Sequence, residues 1–101
     1  MDDTSEVLLV ARRFTVIRQR QTTADGAVHV RETVQHPGAV TILPVFADGS
    51  VCLIRNFRIA VGRTLLELPA GTLEPGEDPA VTALRELSEE TGYRAGKITK
   101  L

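Results

Sequence analysis

The chain has 101 residues, a formal net charge of -1, 43% hydrophobic and 25% charged residues. That is the composition of one ordinary soluble domain, and the near-neutral balance gives no bulk pull toward nucleic acid. No apolar stretch nears the ~20 residues that span a bilayer, the acidic start Met1 to Glu6 is not a leader pattern, and the single cysteine, Cys52, fits a reducing compartment. A cytoplasmic protein is expected, with neither membrane nor nucleic acid as partner.

Val7 to Gln21 is rich in Val, Leu, Ile, Phe and Thr and reads as one strand. Asp25-Gly26 marks a hairpin turn, and Ala27 to Gln35 alternates as the partner strand. His36-Pro37-Gly38 breaks it. Ala39 to Phe46 is almost continuously apolar, the pattern of a strand buried on both faces. Ala47-Asp48-Gly49-Ser50 turns the chain, and Val51 to Phe57 returns as its partner. Leu65 to Leu68 is a short strand ended by Pro69, and Gly71 to Glu77 is a loop. Asp78 caps a helix with Pro79 in its first turn, running to about Thr91, with Gly92 as the left-handed stop. Ala80, Leu84 and Leu87, joined by Val81 and Ala83, form its expected buried stripe.

The polar side of that helix carries the chemistry. Glu86, Glu89 and Glu90 lie three and four residues apart and crowd one patch, where like charges repel. A divalent cation reverses the sign of that cost, and hard carboxylate oxygens suit Mg2+ or Mn2+. Taken alone, such a cluster is more often a solvated helix face in which Arg85 pairs with Glu89. Cys52, in an apolar run with no nearby His or Lys, reads as a small core residue.

The context changes that balance. From Gly71, five residues lead to Glu77 and seven more to Arg85-Glu86, followed by Leu87, Ser88, Glu89-Glu90, Thr91, Gly92 and the apolar Tyr93. Over residues 71–93 this resembles the Nudix box at every defined position. The resemblance implies an α/β fold, an α-β-α sandwich with a mixed sheet, N-terminal antiparallel strands and one box helix. It implies Glu86 and Glu90 as the principal metal ligands and Glu89 as a further ligand or water-organising carboxylate. Arg85 pairs with Glu77 or Glu89 to hold them. Gly71 allows a tight loop, and the carbonyl of Ala70 is a backbone metal ligand.

Leu65-Leu66-Glu67-Leu68-Pro69-Ala70-Gly71, Arg55 to Gly62 and His36 to Val40 are similar to the ADP-ribose pyrophosphatase branch, over about residues 8 to 97. That branch cleaves nucleoside diphosphate sugars. The resemblance implies that Arg58 contacts the substrate diphosphate and that Glu67 sits beside the metal site. Arg55 either helps with phosphate or only flanks its strand. A planar guanidinium suits phosphate because it binds two oxygens at once. His36 reads as a turn residue and His29 as an exposed or partner-facing one. The branch implies a homodimer through the N-terminal strands and an aromatic from that region on adenine; Phe14 is the only aromatic there and is assigned to the core.

The domain plan is one domain over 1–101, with a dimerising hairpin at 1–37 and the core at 38–101. The branch usually continues well past the box, so the chain reads as truncated. Three readings are open, a fragment of a longer protein, a chain completed by another, or a natural truncation that oligomerises; the first is favoured. The leading functional expectation is hydrolysis of ADP-ribose, and the alternative is a silent nucleotide- or metal-binding module.

Overall fold

The order of elements follows from where turn chemistry interrupts the extended runs. The computed structural model describes residues 3–101, whose backbone falls into two units, one ending at Pro37 and the other Gly38–Leu101.

In the first unit, β1 (Asp3–Val10), β2 (Thr15–Thr22) and β3 (Val28–Gln35) form an antiparallel sheet in the order β1-β2-β3. The single strand expected over Val7 to Gln21 is therefore two strands. They are joined by a turn closed by Ala11 N–H on the Phe14 carbonyl at 2.9 Å. Its residues include Arg12 and Arg13 but no Gly or Pro, so the usual turn signal is missing. Val7 faces Ile17 and Leu9 faces Val16, which leaves Leu8 as a bulge. The second turn is the one Asp25-Gly26 announces. Gly26 has φ 83°, and Asp25 Oδ1 accepts from the Ala27 N–H at 3.1 Å. Phe14 is exposed rather than in the core, because it sits in the β1–β2 turn. His29 is exposed on β3.

The second unit contains β4 (Ala39–Thr41), β5 (Ile54–Arg58), a 3-10 helix (Ile59–Val61), β6 (Arg63–Glu67), β7 (Ala70–Thr72) and α1 (Pro79–Thr91). β4 pairs with β7 and β5 with β6, both antiparallel. The doubly buried strand expected over Ala39 to Phe46 is only three residues of ladder. Pro44 has no N–H to donate, and Val45 makes a lone bridge to Val51. Val51 to Phe57 does not return along it as a full partner; its ordered part, β5, pairs with β6. Of the loop expected over Gly71 to Glu77, Gly71 and Thr72 belong to β7.

α1 starts and stops where the sequence says. Asp78 accepts from the Ala80 N–H at 2.8 Å, Pro79 opens the first turn, and Gly92 at φ 76° ends it. Its buried face keeps Ala83 and Leu87 of the expected stripe, adds Thr82, and leaves out the other three. Thr82, Ala83 and Leu87 are buried, whereas Ala80 is exposed and Val81 and Leu84 are 54% and 43% exposed. The helix packs on β4 and β7 with the face that also carries Glu86, because residues 82, 83, 86, 87 and 90 share one side at helical spacing. Among the described residues the buried apolar set is Ile17 in the first unit and Pro69, Ala83 and Leu87 in the second.

Candidate active site

Glu77 organises the start of the site. Its carboxylate accepts from the Thr82 hydroxyl at 2.6 Å, the Glu74 N–H at 3.1 Å and Arg85 Nη2 at 3.0 Å. These donors favour the ionised form, and they hold the Glu77 carboxyl down at about 2, the Arg85 bond being the largest cause. The same pairing pushes Arg85 above its ordinary value. Thr82 explains why the helix face differs from its hydrophobic pattern. Its hydroxyl is fully buried because it ties the first turn to Glu77. The sequence reading missed it, since a threonine inside a helix carries no signal until its partner is known.

Arg85 reaches three carboxylates. Besides Glu77 it bonds Glu86 Oε1 at 2.9 Å and approaches Glu89 Oε2 at 3.6 Å. Both alternatives named for Arg85, Glu77 and Glu89, are therefore occupied, and Glu86 is added. Glu86 is 14% exposed and Glu89 59%.

Glu86 and Glu90 both meet β7. The Ala70 N–H donates to Glu90 Oε2 at 3.3 Å. Glu86 lies where a side chain at Gly71 would be: a Cβ built there would stand well inside 3.0 Å of Glu86 Cδ, Cγ and Oε1. Gly71 is thus needed for close approach. It has no positive φ and lies in a strand, so the tight-loop role expected of it does not hold. Ala70 has a second property. The bonds Ile42 N–H to Pro69 O and Leu73 N–H to Gly38 O set the ladder alternation. Ala70, opposite Thr41, falls at a position not bonded to β4. Its N–H and carbonyl both point off the outer edge of β7, where Glu90 takes the N–H.

A second cluster sits on the β5–β6 ribbon. Arg58 donates from Nε to Glu67 Oε2 at 2.7 Å and from Nη2 to Glu67 Oε1 at 2.6 Å, a two-pronged pair. The hydrogen bond to Arg58 lowers the Glu67 carboxyl, and Asn56 adds a smaller lowering. Glu67 raises Arg58, and Glu90 adds to the rise. Arg55 is not brought to this cluster. It stands three residues from Arg58 on the same strand, which puts it on the other face, opposite Leu66. It makes no ion pair among the described residues.

Two guanidinium groups, Arg58 and Arg85, therefore stand against five carboxylates, Glu67, Glu77, Glu86, Glu89 and Glu90. The excess is negative, the donors are hard oxygens, and Gly71 makes room for Glu86 at the outer strand. That set fits a hard divalent cation. Among the described residues, no three acidic, His or Cys side chains converge on one point as a ready-made metal centre. Arg85 holds Glu86 and the Ala70 amide holds Glu90 instead.

The model of the NUDIX domain matches residues 35–101. The ADP-ribose pyrophosphatase of Bacillus subtilis (strain 168) is 52% identical over 77 residues, covering 76% of this chain and 42% of that protein. The ADP-ribose pyrophosphatase of Mycobacterium tuberculosis (strain ATCC 25618 / H37Rv) is 40% identical over 92 residues, 90% of this chain and 44% of that one. A solved structure described as an ADP compounds hydrolase superposes with a TM-score of 0.78 at 30% identity, over 98% of this chain and 56% of its own. The chain thus spans less than half the length of these curated relatives. Members of the family generally use divalent metal ions. With its box intact from Gly71 to Tyr93 and its α/β fold shared with a solved relative, the chain belongs to the NUDIX domain family.

Proposed function

We propose that this chain carries the metal- and diphosphate-binding part of a pyrophosphohydrolase that acts on a nucleoside diphosphate linked to another group, ADP-ribose first. The observation that carries it is the approach of Glu86 and Glu90 to the same strand, at Gly71 and Ala70, beside a guanidinium pair that leaves excess negative charge. Glu86, Glu90 and the Ala70 carbonyl would hold Mg2+ (or Mn2+), with Glu89 as the more exposed further carboxylate. The cation supplies charge neutralisation on the diphosphate and a more acidic water. Arg85, fixed on Glu77, holds Glu86 and stands beside Glu89. Arg58 takes the diphosphate and Glu67 stands beside it; Arg55, on the far face of the ribbon, would meet phosphate only from another direction. In the reaction one P–O bond of the anhydride breaks, water oxygen forms the new one, and the products are AMP and ribose 5-phosphate.

The relatives named ADP-ribose pyrophosphatase support this substrate class. A homodimer through β1–β3 is part of the proposal. Val28, Val30 and Val34 are exposed on one face of that sheet, as a face used for association would be. No helix among the described residues is long and apolar enough to cross a membrane, and we place the reaction in the cytoplasm.

The test is AMP release from ADP-ribose and Mg2+, with and without EDTA. EDTA-sensitive release supports hydrolysis. A second reading is a module that binds metal and nucleotide without turnover. Mg2+ binding without AMP release would select it.

A further inference from the structure

Arginine has five N–H donors in a fixed plane. At Arg58, Glu67 takes one from Nε and one from Nη2, at 2.7 and 2.6 Å, which is the side edge of the guanidinium. Three donors remain, two on Nη1 and one on Nη2. The Nη1–Nη2 end edge is therefore the one still able to grip two oxygens at once. The plane of the group is set by Glu67, which is largely shielded at 19% exposure, while Arg58 is 49% exposed. Asn56 lies on the same face of the ribbon as Arg58 and Glu67. The two bonds thus run from the better shielded carboxylate outward to the cation.

We propose that Glu67 is the positioning residue for Arg58: it locks the side edge of the guanidinium and leaves the end edge for a substrate phosphate. This rests on the reading that Arg58 takes a diphosphate, and it departs from that reading on Glu67, which touches no substrate here but acts through Arg58. A free arginine has several rotatable bonds to fix on binding a phosphate. A fork already held by a carboxylate has fewer, and it is aimed before the ligand arrives.

The test uses the 101-residue chain, Mg2+ and α,β-methylene ADP-ribose, a diphosphate that cannot be cleaved, titrated by calorimetry. Thermal melts confirm that each variant is folded. Glu67→Gln keeps the shape but loses the charged side-edge grip and is expected to weaken binding about tenfold, the scale of outer-shell losses. Arg58→Lys should weaken it as much, and the double variant no further than Arg58→Lys alone. A second readout is the 15N–1H signal of Arg58 Nε: it should be protected from exchange, stay so when the diphosphate binds, and lose protection in Glu67→Gln. Tighter binding by Glu67→Gln, or loss of the Nε protection on ligand binding, would show that Glu67 competes with phosphate and would overturn the proposal. Weaker binding by Arg58→Ala with none of these effects from Glu67→Gln would overturn it alone. No effect from Arg58→Ala, or no binding by the unsubstituted chain, would overturn the diphosphate reading and the proposal together.

Discussion

Gly71→Ala isolates the feature that most directly links the fold to the proposed cation site. The backbone at Gly71 is not left-handed, so alanine brings no conformational penalty there. It brings a methyl group that falls well inside 3.0 Å of three Glu86 atoms, where ordinary carbon contacts need about 3.5–4.0 Å. Glu86 must therefore leave. In the chain alone it can do so by rotating outward and lengthening its 2.9 Å bond to Arg85, so the loss of folding stability is small. When a cation draws Glu86 back toward β7, the overlap returns. Overpacking of this kind costs about 1–3 kcal/mol, which at about 1.4 kcal/mol per tenfold is a loss of roughly 5- to 150-fold in cation affinity. Mn2+ titration followed by electron paramagnetic resonance measures it, with thermal melts in EDTA as the folding check. Gly76→Ala is the control. Gly76 has φ 72° and open space around its Cβ, so its substitution strains the backbone and leaves the cation affinity alone. Gly71→Ala with unchanged Mn2+ affinity would refute the reasoning.

Glu90→Gln should leave a folded chain, since Glu90 is exposed, and should lower AMP release at least about 100-fold through the lost ligand charge; near-unchanged rates with Mg2+ would remove Glu90 from the ligand set. Glu77 gives a pH prediction: its carboxyl is lowered from 4.5 to about 2 in the fold. A depressed carboxyl stabilises the fold above its unfolded value and loses that effect as pH falls toward the folded one. Thermal melts should therefore drop between about pH 4.5 and about 2, and Glu77→Gln should flatten that drop while lowering the melting temperature at neutral pH. Asp78→Ala removes the cap bond to the Ala80 N–H and should cost about 1 kcal/mol in urea unfolding.

Legibility in the sequence followed the range of the signal. Local signals were sufficient where one residue type does one job: Asp78, Pro79 and Gly92 bound the helix, and Asp25-Gly26 closes its hairpin. Hydrophobicity failed where pairing or networks decide. The β1–β2 turn passes through Arg12-Arg13, with no residue that favours turning, so two strands read as one. Ala39 to Phe46 is almost continuously apolar, yet Pro44 and the short β7 limit its ladder to three residues. Leu84 has the hydrophobicity of a core residue and Thr82 does not, but Thr82 is the one buried, because Glu77, Arg85 and the need to set Glu86 and Glu90 against β7 rotate the helix. At the site, the box spacing gave the carboxylates and Arg85. It could not give the reason for Gly71, which is steric and visible only with Glu86 in place. Nor could it place Arg55 and Arg58 on opposite faces until the strand containing both was fixed.

The central claim is that Glu86 and Glu90, with the Ala70–Gly71 strand, form the cation site. Mn2+ broadens amide NMR signals in proportion to proximity, so sub-stoichiometric addition to the 15N-labelled chain reads its position directly. Selective loss of the signals of Ala70, Gly71, Glu86, Glu89 and Glu90 is expected. Broadening centred on another acidic turn such as Asp48, or none at all, would contradict it.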